Sequence, residues 1–241
     1  MDGVTDATME CVTFDLAQTP LRAVNHYLHH NLTQTGGQAI EILNPDGAHN
    51  IAVGLNASVE VKILGHAGYY AASMNQLANV TIAGNVGTGV AENMMSGRVH
   101  VKGFASVSAG ASAHGGLLII DGDASLRCGI SLKGADIVVG GSVGSFAAFM
   151  AQAGRIVVCG NAGEALGDSL YEAVIYVRGE IKSLGADARI EPMSEADYAT
   201  VAELLAKAGF SHNPQDFQRV ASAKQLYHWN ADAVTSDSAF Q

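Results

Sequence analysis

The histidines are the first residues that could do chemistry. His26, His29 and His30 fall three and four apart and could share one helical face. Two histidines four apart can chelate a divalent metal, but the glutamate of HExxH is missing, so exposed histidines on a helix are the plainer reading. His49, His66, His100, His114, His212 and His228 form no cluster in the sequence. Gly84-Asn85-Val86-Gly87-Thr88-Gly89 has the look of a phosphate loop, yet no GK[ST] follows and no helix start is signalled. Cys11, Cys128 and Cys159 make no CxxC pair and read as reduced thiols. Metal, nucleotide and thiol chemistry all lack a motif.

The elements that would have to position such residues explain why. Gly65, Gly84, Gly103, Gly122, Gly141, Gly160 and Gly179 stand at an unbroken spacing of 19. Apolar residues precede each glycine by four and two places: Val61/Ile63, Val80/Ile82, Val99/Val101, Leu118/Ile120, Ile137/Val139, Ile156/Val158 and Ile175/Val177. Period-two alternation of β-branched residues is a half-buried strand, and one strand per fixed period is a rung of a solenoid. Seven places after each glycine the residue is small: Ala72, Ala91, Gly110, Gly129, Ala148, Gly167 and Ala186. Ala78, Gly97, Gly116, Ala135, Gly154 and Ala173 are small thirteen places after. Small residues at fixed phases suit corners where backbones crowd or φ is positive. Rungs stacked about 4.8 Å apart make a rod about 30 Å tall with one aliphatic core.

The spacing leaves the handedness open. It argues against a left-handed hexapeptide helix, because counting six on from Ile82, Val139, Val158 and Val177 gives Thr88, Ser145, Glu164 and Ser183. Glu92, Asp121, Asp123, Asp136, Glu164, Asp168 and Glu172 lie on scattered phases, so no ladder of acids for sugar cleavage converges on one face. The outer surface, in runs such as Ser106 to Gly116, is expected to be rich in Ala, Ser and Gly and suited to broad packing against another protein.

Residues 1–52 precede the repeat and read as a small α/β cap. Val12, Phe14 and Leu16 form a strand, and Thr19-Pro20 starts a helix with Leu21, Val24, Leu28 and Leu32 on one face. Gly36-Gly37 ends that helix, and Ile40 and Ile42 begin a second strand before the turn from Asn44 to Gly47. Residues 53–191 are the coil. Residues 192–241 read as a helical extension, part cap of the last rung and part docking arm. In it Ser194 caps a helix bearing Tyr198, Val201, Leu204 and Leu205, which Gly209 terminates. Asn213-Pro214 is expected to start a second helix with Phe217, Val220 and Ala221 on one face, and the final dozen residues to be disordered without a partner. The formal charge of −10 with 13 scattered Lys and Arg excludes a nucleic-acid face. No apolar run reaches a membrane span, and the N-terminus has no signal-peptide pattern, so a cytoplasmic location is expected.

The rungs resemble the GXGXG domain found at the C-terminal end of glutamate synthase large chains and in one of the subunits of formylmethanofuran dehydrogenase. The resemblance covers about residues 53–190 and rests on the 19-residue period, on Gly84/Gly87/Gly89 and Gly160/Gly163, and on the strand before each glycine. It implies a mostly β fold, a right-handed single-stranded β-helix of about seven rungs that braces catalytic domains and carries no catalytic, cofactor-binding or metal-binding residue. As a free-standing chain with the segment Arg219 to Trp229, it looks most like the GXGXG subunit of the N-methylglutamate synthase group. That likeness implies a hetero-oligomer with a glutaminase-like amidotransferase subunit and an FMN-binding synthase subunit, an iron–sulfur cluster being a further expectation for the latter. The group makes N-methylglutamate from methylamine and glutamate. The sequence begins Met1-Asp2, with its first cysteine at Cys11, so it is not expected to be the glutaminase, which needs an N-terminal cysteine nucleophile. The competing readings are a subunit of a formylmethanofuran dehydrogenase-like complex and a stand-alone β-helix enzyme acting on sugars or acyl-CoA.

Overall fold

Stacked strands with one aliphatic column each dictate the architecture. The computed structural model describes residues 10–32 and 38–223. Nine parallel strands follow one another: β1 (Glu10–Asp15), β2 (Gln38–Leu43), β3 (Glu60–Leu64), β4 (Asn79–Ile82), β5 (Arg98–Val101), β6 (Leu117–Ile120), β7 (Lys133–Val139), β8 (Ala153–Val158) and β9 (Val174–Val177). From β3 on, the register advances by 19: Val61, Val80, Val99, Leu118, Ile137, Ile156 and Ile175 stack directly. The fold is mostly β, a solenoid of about seven turns. The inward pairs are all buried, so hydrophobic burial, about 25 cal/mol per Å², acts along one continuous column. A second ladder joins Ala67, Val86, Ala105, Ala124, Val143, Ala162 and Ile181, each two places after its glycine.

The periodic glycines meet back to back. A Cβ on Gly84, Gly103, Gly141, Gly160 or Gly179 would lie within 2.6–2.9 Å of the backbone of the glycine one rung earlier. Gly103, Gly122, Gly141, Gly160 and Gly179 each donate their amide to that glycine's carbonyl at 2.8–3.2 Å. Close backbone approach fixes glycine at this phase.

Of the periodic glycines only Gly65 has a positive φ, 151°; positive φ recurs on the far corner and at Gly97, Gly116 and Gly154. In the six turns from Gly65 to Gly160, the residues five, seven and nine places after the glycine all have φ between 52° and 74°. The set Tyr70, Ala72 and Met74 recurs as Phe146, Ala148 and Met150. Non-glycine residues rarely adopt this conformation. Here it is held by hydrogen bonds between turns: the amides at five and nine donate to the next turn, as in Tyr70 to Thr88 and Met74 to Glu92, and the amide at seven donates back, as in Ala91 to Ala71. The same conformations at Asn50, Ala52 and Gly54 carry the coil back into the segment before residue 53, where β2 pairs with β3.

The flanks differ from expectation in two places. Helix α1 (Leu21–His30) begins one residue late: Pro20 is itself the N-cap, extended, and no side chain caps the helix. Helix α2 (Glu195–Ala208) carries the predicted Ser194 cap, completed to a capping box by Asp197, and ends at Gly209 with φ 82°. The predicted second helix does not form. Pro214–Asp216 make a single 3₁₀ turn, and Gln218–Ser222 become strand β11, which pairs antiparallel with β9 and with β10 (Ala188–Glu191). The open edge of β9 supplies backbone partners that a helix cannot use, so β11, with β10 beyond it, closes the coil at that end. The expected helix stop at Gly36-Gly37 and the final dozen residues lie outside the described residues.

Helix α2 lies on the outer face of the sheet. Val201, Leu204, Leu205 and Ala208 bury against Ile119, Val138, Val157 and Tyr176. The sheet is therefore dry on both sides under α2, which is why β6 to β8 read as LLII, IVV and IVV rather than alternating. Arg219 of β11 ties the helix start down through Asp197 and Glu191.

Candidate functional site

The residues singled out for chemistry are dispersed or occupied. In the glycine loop, the amides of Asn85, Val86, Gly87 and Gly89 already donate to His66 Nδ1 and to the carbonyls of Phe104, Ala67 and Val107. A phosphate would find none of these four free. On α1 the His26 and His30 rings lie 4.4 Å apart, while His29 Nε2 bonds the Val53 carbonyl at 2.7 Å. Together with His49 they border a shallow cleft. Among the described residues no group of three or more His, Cys, Asp or Glu could hold a metal ion.

The histidines and acids elsewhere hold the coil together. His100 donates from Nε2 to Asp121 at 2.6 Å, and Lys102 reaches the same carboxylate at 3.3 Å. Asp136 and Arg155, one turn apart at one phase, make two bonds of 2.6 Å. Asp123, Ser142 and Asn161 each accept the backbone amide one turn on, at 2.7–3.0 Å. The two described buried thiols are core groups. Burial raises Cys128 to about 12 and Cys159, which lies under α2, to about 11, so neither is a nucleophile at neutral pH.

Two acids illustrate what the fold does with charge. Burial works to raise Asp197, but hydrogen bonds from Ser194 and Tyr176 outweigh it and hold the carboxyl below the ordinary range. Its bond from the Tyr176 hydroxyl is 2.7 Å. On the exposed surface Lys182, 2.8 Å from Glu164, lowers that carboxyl as well.

What stands out is apolar. The corner carries Tyr70, Met74, Phe146 and Met150, each 41–49% exposed and each at positive φ. At the same two phases the other turns place Gly89, Asn93, Ser108, Ser112, Arg127, Ser131, Ala165 and Ser169. Four bulky side chains thus take a conformation costing roughly 1–2 kcal/mol each, and face solvent while doing so. Tyr69, stacked on His49 at 4.4 Å, with Leu77 and Met95 extends the first group. Phe149 and Tyr171 extend the second. The two groups sit four turns apart, about 19 Å. The expected small-residue surface holds only in part: Ala109, Gly110, Ala111 and Ala113 are buried, while Ser106, Ser108, Ser112, Gly115 and Gly116 are half-buried and His114 is exposed. Period-two alternation does not extend to these corners. Their signal was available in the bulky residues recurring 76 places apart, Tyr70/Phe146 and Met74/Met150.

Comparison with known proteins gives a relative of the same size. Protein GlxC of Rhizobium meliloti (strain 1021) is 52% identical over 219 residues, which is 90% of this chain and 96% of the relative. The chain belongs to the GlxC family. No protein-family model and no solved structure matches the chain.

Proposed function

We propose that this GlxC-family chain is the structural subunit of a glutamate-synthase-like enzyme complex. The observation that carries the reading is the exposed apolar group of Tyr69, Tyr70 and Met74, held at a strained corner of an otherwise self-satisfied coil. Such residues favour a partner surface, because burying them on association returns the hydrophobic free energy that the free chain forgoes. The glycine ladder supports the same role: every turn locks to the next, giving a rigid brace between two larger subunits.

In the finer reading the complex is N-methylglutamate synthase. The chemistry is divided between a glutaminase-like amidotransferase subunit and an FMN-binding synthase subunit. This chain fixes their active sites relative to each other, so that the amine passes without escaping to bulk water. The catalytic groups and the flavin belong to the partners. The seven periodic glycines are this chain's contribution, as structure.

The test is purification of the native chain with its partners. Two larger chains, flavin absorption and glutamate-dependent turnover of methylamine support the reading. Full coupled activity of the two larger chains without this one refutes it.

A further inference from the structure

The two apolar corner groups do not have the same neighbourhood. Strand β11 runs antiparallel to β9, with Gln218 opposite Val177 and Val220 opposite Ile175. The described chain ends at Ala223, just after this strand. Ala221 and Ser222 do border one cleft with Tyr171, Glu172 and Ala173. The last described residues therefore lie beside the second apolar group, and residues 224–241 follow them in sequence. That segment carries Leu226, Tyr227 and Trp229 within its first six residues, then Val234 and Phe240.

We infer that residues 224–241 are the occupant of the Phe146–Phe149–Met150–Tyr171 surface. Reach permits it: six extended residues span about 20 Å, enough to carry Trp229 from Ala223 across one turn of the coil to Phe146. The chemistry matches, an aromatic and aliphatic run against two phenylalanines, a methionine and a tyrosine. Tyr171 and Met150 are adjacent in the stack, since Met150 donates its amide to Asp168 and Tyr171 donates back to Ala151. The first group, around Tyr70 and Met74, lies four turns away, so the tail's opening run engages the second group alone. This inference concerns the second group alone and stands apart from the synthase reading, which rests on the first group.

Trp229 is the only tryptophan, so its fluorescence reports the tail directly in the full-length chain. The expected result is an emission shifted to the blue of free tryptophan, independent of protein concentration, with quenching by acrylamide suppressed. The double variant Met150→Glu, Tyr171→Ser should move the emission to the red and raise the quenching constant several-fold, with the far-ultraviolet circular dichroism unchanged. Met74→Glu should leave both readings as they are. Solvent-exposed emission in the unsubstituted chain would overturn the inference, as would a buried emission that ignores the Met150/Tyr171 variant. A blue shift that emerges only as concentration rises would overturn it too, by showing that a second copy of the chain is the tail's partner.

Discussion

The strand side and the corner side of the coil obey one period and end in opposite states. On the strand side the outward column runs Lys62, Thr81, His100, Ile119, Val138, Val157 and Tyr176, and the chain's own α2 covers the apolar part of it. On the corner side Tyr70, Met74, Phe146 and Met150 stand in the left-handed region and remain exposed. The difference teaches where stability and interaction are separated in this molecule. Backbone ladders, the glycine column and α2 satisfy the fold internally, while the corners carry side chains the fold does not need.

The largest effect should come from the glycine ladder. In Gly160→Val the new Cβ falls 2.7 Å from the backbone of Gly141, which cannot yield without parting two turns. We expect a loss of about 4 kcal/mol or more, or failure to fold, read by urea denaturation. Next comes the strand-side cover. Leu204→Ala empties a fully buried site between α2 and the sheet and should cost about 3 kcal/mol, with faster amide exchange in Val138 and Val157. A smaller loss, about 1–2 kcal/mol at neutral pH, is expected for Asp197→Asn, which breaks the capping box and the bond from Tyr176. The sign with pH follows from the lowered carboxyl. Its stabilisation is complete above the unfolded value of about 3.9 and is lost as pH falls through the folded value, so the gap between variant and parent should close in acid. The smallest effect belongs to the corner. Met74→Gly relieves the left-handed strain while removing a half-exposed side chain, so stability should stay within about 1 kcal/mol of the parent. A drop comparable to Leu204→Ala would erase the contrast between the two sides.

The coil was legible because every turn repeats the same restraint. Seven glycines and seven aliphatic pairs announce a parallel ladder, and α2 is announced by Ser194 and Gly209. β11 was not legible, because Asn213-Pro214 does open a turn of helical sense and Phe217, Val220 and Ala221 fit helical spacing as well as a short strand. Only the open edge of β9, a tertiary feature, decides between them. The apolar corners were hidden for a different reason. Taken singly, Tyr70 and Met150 carry no patterning signal of their own, and their outward, positive-φ placement depends on hydrogen bonds to the turns on either side. At the periodic glycines from Gly84 on, the constraint is backbone contact from turn to turn, while the residues five, seven and nine places on take positive φ, a split that the 19-residue period alone does not reveal.

The most direct test of the scaffold account is reconstitution of the complex with the triple variant Tyr69→Ser, Tyr70→Ser, Met74→Ser. The account predicts a variant that unfolds at the parent's denaturant midpoint yet elutes apart from the two larger subunits proposed as its partners, with the proposed coupled amine transfer lost. Recovery of an intact, active complex containing that variant would contradict it.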